Sequence, residues 1–385
     1  MNALFDKVFI SFRLFVKNLL LYMILSVMIS ISVLASNYAL YEAKTIRGSY
    51  DMVKTLKNEK MILYMGRGLD ASKLNVSHNV ATMRYGFFTT HERVNFYSRA
   101  IVENFDISLS KGAWETEPKK VGATLYYPIV INRETSDYKL GKTANMQMQN
   151  GTTVNVYICG VLDKDQKYID LSMGTNVPNA NHLVKTCMRE DIFFFGINEI
   201  YPKNVTSGRW ITECSSRFVF FDQSITDAEY EENYKLCQNQ GWSFTYDTLM
   251  ANSHENLMYG YTVYLPLVLC LVLLSVVGVV CFTVLSVKNN HSYYSCFLLC
   301  GGTKRDCTHL SLFNLAWVIV ISILAVLVIA QMLVNSGSLD GWYELSIVNV
   351  LASLALYGFV LAVGFLVTRL LFRNKTVTQL LKEDS

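Results

Sequence analysis

Cys296, Cys300 and Cys307 crowd one short segment, and a helix would set the first two on one face. Thiolates so placed could ligate a metal. No histidine or further cysteine joins them at zinc spacing, however, and reduced thiols beside a membrane account for them better. The six histidines are scattered and form no His-Glu-x-x-His pair. Gly301-Gly302-Thr303-Lys304 ends like a phosphate-binding loop but lacks the earlier glycine and the spacing that would turn backbone N–H groups onto phosphate. No Gly-x-Ser-x-Gly elbow exists. The chain therefore encodes no enzyme by itself and calls for no metal and no cofactor. Four further cysteines, Cys159, Cys187, Cys214 and Cys237, permit two disulfides in three pairings, or four free thiols. Asn75, Asn150 and Asn204 head glycosylation sequons, which matter only in a eukaryotic secretory pathway.

The elements that would carry these residues emerge from the charge distribution. Over 385 residues the net charge is only +3, which gives no argument for nucleic acid. Asn18 to Tyr41, Gly260 to Val287, Cys307 to Leu339 and Leu345 to Thr368 hold no Asp, Glu, Lys or Arg. Each run exceeds the roughly 20 apolar residues a helix needs to cross a bilayer. Their unbroken apolar character does not alternate as barrel strands do. The expected fold is a membrane α-helical protein with four transmembrane helices, 18–41, 260–287, 308–335 and 345–368, and a mixed α+β extracytoplasmic domain at 42–257.

Orientation follows from the basic flanks. Lys7, Arg13 and Lys17 precede the first span; Lys288, Lys304 and Arg305 lie between the second and third; Arg369, Arg373, Lys375 and Lys382 follow the fourth. The loop between the third and fourth spans holds only Asp340 and Glu344. Both termini and the 288–307 loop are then cytoplasmic in a multi-pass cell-membrane protein, with 1–17 an amphipathic helix on the inner leaflet and 369–385 a tail. A competing reading makes the first span a secretory signal, because Val33-Leu34-Ala35 precedes Ser36, but the apolar run is long for one.

Within the domain, Glu42 to Met65 reads as a helix, with Ile46, Tyr50, Val53 and Leu56 on one face. Leu125 to Ile131 reads as a strand, Arg133 to Leu140 as a short helix, and Asn145 to Leu162 as a hairpin turning at Asn150-Gly151 in a type I′ turn. Arg217 to Phe221 and Trp242 to Tyr246 flank a helix whose Thr226 and Glu229 have capping-box spacing, a β-α-β unit. Leu249 to Tyr261 leads helically into the second span.

The 288–307 loop carries a polar start, an aromatic-aliphatic run and two glycines suited to closing a helix. Its exposed apolar residues would want a partner, unless it is a membrane-surface helix with snorkelling basic residues.

One span, a large domain and three spans is the layout of the FtsX/MacB-like permeases of ABC systems, and the chain resembles that family over nearly its whole length. Phe12 to Asn18 looks like the family's entry helix. Leu109 to Trp114, Pro128 to Asn132, Leu140-Gly141-Lys142 and Val156 to Leu162 follow the order of the MacB-type domain, and Lys375 to Lys382 resembles the usual end. Phe297 to Asp306 is similar to the coupling-helix region. His291 and Asn314 stand where the family often has acidic residues.

The resemblance implies a permease half, with a peptide, lipid or drug as cargo, that forms a homodimer or a heterodimer with a related permease in a bacterial membrane. It would recruit a separate cytoplasmic ABC ATPase subunit through Phe297, Leu298, Leu299, Gly301, Gly302, Lys304 and Arg305. ATP-driven motion of the outer domain, mechanotransmission, would replace passage of solute between charge-free spans. The rival readings are a signalling subunit, a regulator of cell-wall hydrolases and a membrane enzyme; the last lacks any motif.

Overall fold

A computed structural model describes residues 2–66, 68–163, 167–172, 177–187, 191–208, 210–335 and 347–373. Asp340, Glu344, Leu345 and the segment 375–382 lie outside the described residues. In chain order the first elements are α1 (Asn2–Lys17), α2 (Leu19–Lys54), β1 (Met61–Met65), β2 (His78–Ala81), β3 (Met83–Phe87), β4 (Arg93–Tyr97), α3 (Arg99–Asn104), β5 (Leu109–Gly112), β6 (Lys119–Val121), β7 (Thr124–Ile131) and β8 (Thr143–Gln147). There follow β9 (Thr153–Leu162), β10 (Lys167–Ile169), α4 (Ala180–Leu183), β11 (Val184–Thr186), β12 (Phe193–Ile197), α5 (Lys203–Thr206), β13 (Thr212–Glu213), β14 (Ser216–Phe221), α6 (Asp227–Gln238) and β15 (Trp242–Thr245). The last four are α7 (Tyr246–Asn289), α8 (His291–Leu299), α9 (Lys304–Asn335) and α10 (Ile347–Arg373). The chain divides into two units, Met1–Ala43 with Tyr261–Ser385, and Lys44–Gly260. The division falls inside α2 and inside α7.

In the first unit, α2, α7, α9 and α10 are each long and apolar enough to cross a membrane. This is a multi-pass membrane protein. The bundle core takes Tyr22, Leu25, Ile29 and Val33 from one face of α2, with Val279 and Phe282 of α7, Leu315, Val318 and Val326 of α9, and Tyr357 and Val360 of α10. The other face of α2 leaves Leu20, Ile24, Val27 and Ile31 exposed, as lipid contact requires. Lipid tails are as apolar as these side chains, so the hydrophobic effect alone does not join the helices, and hydroxyl groups add interhelical hydrogen bonds. Tyr22 pairs with Ser286 at 3.0 Å, Ser30 with Ser322 at 2.9 Å, Ser32 with Ser275 at 2.6 Å and Ser311 with Thr368 at 3.3 Å.

The second unit is built on two main sheets. The larger has the order β13-β3-β4-β12-β7-β9-β5, with β6 added to β7 and β8 to β9. Its central strands are apolar on both faces, and side chains alternate between two cores. Ile129, Ile131, Val156, Ile158 and Phe194 enter one core. Val130, Tyr157, Cys159, Phe193 and Phe195 enter the other. The smaller sheet, β15-β1-β14-β2, puts Met61, Leu63, Phe218 and Phe220 into that second core as well. Its opposite face, with Ile62, Tyr64, Val219 and Phe221, packs on Cys237 of α6.

Several expectations need correction here. The helix at 42–65 stops at Lys54, and Met61–Met65 is a strand. Strand β1 is paired on both edges, antiparallel to β14 and to β15. Its five apolar residues are too few to distinguish strand from helix by periodicity. The β-α-β unit is therefore split, since β1 sits between β14 and β15. Arg133 to Leu140 forms no helix: Thr135 Oγ1 accepts from the Tyr138 N–H, and Glu134 Oε1 accepts from the Leu140 N–H, so side chains satisfy the backbone instead. The hairpin is present, but its loop is wider than a type I′ turn. Met148 and Thr152 still pair, Gly151 donates to the Met148 carbonyl at 2.9 Å, and only Gly151 has a positive φ. Asn150 instead accepts from the Thr152 N–H, an Asx arrangement that keeps it out of the left-handed region.

The membrane-proximal stretches of α2 and α7 pair within this unit. Ile46 faces Gly260, the rings of Tyr50 and His254 lie 6.3 Å apart, and the Tyr246 hydroxyl donates to the Lys54 carbonyl at 3.4 Å. The Ile46, Val53 and Leu56 side chains are buried.

Candidate functional site

The candidate coupling residues occupy the short connection between α7 and α9. Helix α8 is closed by a Schellman motif. The Gly301 N–H donates to the Leu298 carbonyl at 3.2 Å and the Gly302 N–H to the Phe297 carbonyl at 3.0 Å. Gly301 has φ +92°, which glycine adopts at little cost. At Gly302 the constraint is space: a Cβ there would sit 2.4 Å from the Phe297 ring and 2.8 Å from its carbonyl oxygen. The two glycines thus do different jobs in one turn.

Thr303 then caps α9. Its hydroxyl accepts from the Asp306 N–H at 3.2 Å, while Asp306 Oδ2 accepts from the Thr303 N–H and hydroxyl at 3.1 and 2.7 Å. This is a capping box with aspartate in the third position. The same carboxylate uses its other oxygen to accept from Lys7 Nζ of α1 at 2.6 Å. Further along, the Trp317 indole N–H donates to Ser11 Oγ at 3.2 Å, and the Phe12 and Trp317 rings meet edge-on. Helix α1 is therefore fastened along α9, while Phe9 and Val16 remain exposed and Phe12 is only partly covered by Trp317.

The seven expected residues do not form one surface. Phe297 and Leu298 are half-buried against a small core of Val287, Tyr294, Cys307, Leu310 and Phe372. Tyr294 is fully buried there, its ring edge on Phe372, and burial pushes its phenol well above its ordinary value. Leu299 is 64% exposed, and Gly301, Lys304 and Arg305 are exposed beside it. Lys304 Nζ donates to the Arg373 carbonyl at 3.4 Å, which ties this edge to the end of α10. The surface available to a partner is thus Leu299, Gly301, Lys304 and Arg305, with Phe297, Leu298 and Gly302 as its support. Sequence reasoning missed Lys7 and Ser11 as struts for this segment. The Thr303-x-x-Asp306 spacing was a visible cap signal, whereas nothing local marks a pairing across 299 positions.

Of the two residues in place of acids, His291 is buried at the start of α8 and Asn314 is buried in α9. Among the described residues no cluster of three or more His, Cys, Asp or Glu could hold a metal. All nine cysteines are free, and Cys159, Cys187, Cys214 and Cys237 are buried.

The sequence matches no protein-family model and no curated protein. Among solved structures, it is similar to the periplasmic region of MacB from Actinobacillus actinomycetemcomitans, with 11% identity, a TM-score of 0.30, and coverage of 53% of this chain and 96% of that one. The extracellular domain of the ABC-type transporter YknZ from Gram-positive bacteria gives 12% identity and a TM-score of 0.24, covering 51% of this chain and 82% of its own. A permease-protein domain from Porphyromonas gingivalis gives 10% identity and a TM-score of 0.25, covering 48% and 85% respectively.

Proposed function

We propose that this chain is the permease subunit of an ABC transporter of the FtsX/MacB-like kind. A separate cytoplasmic ATPase hydrolyses ATP, and the permease, as a homodimer or with a related permease, passes the motion to an extracytoplasmic domain at 42–257. The termini and the α7–α9 connection face the cytoplasm. The work done outside is export or extraction of a peptide, lipid or drug.

The observation that carries this reading is the α8 turn. A nine-residue helix is locked at its end by two glycines, braced by Lys7–Asp306, and left with Leu299, Lys304 and Arg305 exposed. A rigid, small, apolar-and-basic protrusion suits a groove that offers an apolar pocket and carboxylates. Charge-free spans support force transmission over solute passage, since a polar path would need polar lining.

The test is co-purification of the full chain with its ATPase from membranes expressing both. Leu299→Ala combined with Lys304→Glu and Arg305→Glu should weaken association by about thirtyfold, the effect of losing an interface hot spot of about 2 kcal/mol. Thermal melting of the permease should change little, because these side chains are exposed and only the exposed Lys304–Arg373 carbonyl hydrogen bond is lost. If no ABC ATPase associates with the unmodified chain, the reading fails.

A further inference from the structure

Helix α8 is packed the wrong way round for a permanent part of the bundle. Its three buried residues, His291, Tyr294 and Ser295, all carry polar groups, while its apolar Leu299 is 64% exposed. Phe297 and Leu298 are only half-buried. An amphipathic helix at rest buries the opposite stripe.

The buried side is also poorly paired. Asn314 of α9 lies one turn beyond Leu310, which packs with Tyr294. It is 1% exposed, and neither its Oδ1 nor its Nδ2 meets a partner, so exchanging the two atoms of the amide changes nothing. Ser295 Oγ is unpaired and wholly buried as well. At the junction of α7 and α8, Asn290 Nδ2 donates to the Ser286 carbonyl at 2.8 Å and leaves Oδ1 unmet. Turning that amide over would set oxygen against oxygen and leave both of its atoms unmet. None of these atoms has surface open to water in this packing. Groups that lose water and gain no partner count against the arrangement that buries them.

We infer that α8 has a second position, swung off α9 as a rigid piece, in which water reaches Ser295 and Asn314. The two ends of the helix suit such a swing. Asn290 breaks the chain's helical path before α8, with φ −116° and ψ 21°, and Gly301 breaks it afterwards, with φ +92°. Between them the nine residues stay helical, and Thr303 with Asp306 holds the first turn of α9 on its own. On the ATPase reading above, on which this second half rests, the swung position is the one the ATPase holds, with Leu299 covered and the polar side wet.

Cys307 supplies a native probe, because it is buried in the same small core as Tyr294 and Leu310. Cys237, buried in the 44–260 unit, is its reference: burial pushes both thiols up to about 11, so a difference in rate reports access. The full chain in phosphatidylcholine nanodiscs receives timed pulses of N-ethylmaleimide, and peptide mass spectrometry follows both residues. Cys307 should react about tenfold faster than Cys237. Asn314→Leu and Ser295→Ala each remove an unmet group from the closed seam, so each should slow Cys307 about fivefold, leave Cys237 unchanged and not lower Tm. Cys307 no faster than Cys237 overturns the swing. So does unchanged or faster Cys307 modification in Ser295→Ala, the smaller change, even where Asn314→Leu does not fold. An associated ATPase with a non-hydrolysable ATP analogue should speed Cys307 further, and association without that change overturns the docking half alone. If no ATPase associates, the permease reading fails while the Cys307 rates still decide the swing.

Discussion

Burial sets the chemistry of the four cysteines in the 44–260 unit. Removal from water disfavours the thiolate, pushing Cys159 and Cys237 up to about 11 and Cys214 up to about 12, with Cys187 higher still. The thiolate is the reactive form. At pH 8 iodoacetamide should therefore leave these four unmodified in the folded protein, with alkylation rising only as pH climbs toward 11. The exposed Cys296 and Cys300 of the α7–α9 connection should be labelled first. Peptide mass spectrometry after timed labelling checks the order, and early modification of Cys159 would contradict it. The sequence left disulfides open because pairing depends on which elements meet. Cys159 lies on β9 and Cys237 on α6, in separate cores, and no spacing rule reports that. The glycine turn after α8 was legible for the opposite reason: its donors and acceptors lie within five residues of one another.

Elements with local end signals were read well, and those fixed by tertiary pairing were not. Helix α6 begins with the complete Thr226–Glu229 capping box. Thr226→Ala should cost about 1 kcal/mol and speed hydrogen exchange of the first α6 amides about fivefold, while Thr226→Ser should restore protection. Unchanged exchange in the alanine variant would mean that packing alone holds the helix start. Strand β1 shows the other case. Nothing in Met61–Met65 separates a fully buried strand from the last turns of a helix, and only its two antiparallel neighbours decide. At Arg133 to Leu140, read as a short helix, polar side chains instead satisfy a loop. The candidate site was only half visible for a related reason. Residues 297–305 are contiguous, but whether Phe297 points inward or Leu299 outward depends on Tyr294, Leu310 and Phe372, from three helices.

At the scale of the molecule, the division into two units falls within two helices, after Ala43 in α2 and after Gly260 in α7, which also carries Pro266 in its span. The proposed force transmission through them requires helical continuity. Proline in a helix interior costs about 3 kcal/mol and kinks it. Ala43→Pro with Tyr261→Pro should leave ATPase association intact and abolish any ATP-dependent change in protease sensitivity of residues 66–241. A retained change would show that the two helices are not the route. The four spans were the most legible feature, because lipid imposes a length and a composition that no other environment does. Their hydroxyl contacts were not, since serine is common in such helices and its partner lies on another. Strand β1, which follows α2, and strand β15, which precedes α7, are hydrogen-bonded neighbours, in register from Ile62↔Thr245 to Met65↔Trp242. Strands β14 and β2 complete that sheet, so the stretch between β2 and β14 is a topological insertion on a four-stranded base. Evolution can therefore enlarge, trim or exchange that module while the sheet stays constant, and a chimera joined at 81 and 216 should inherit a ready-made socket.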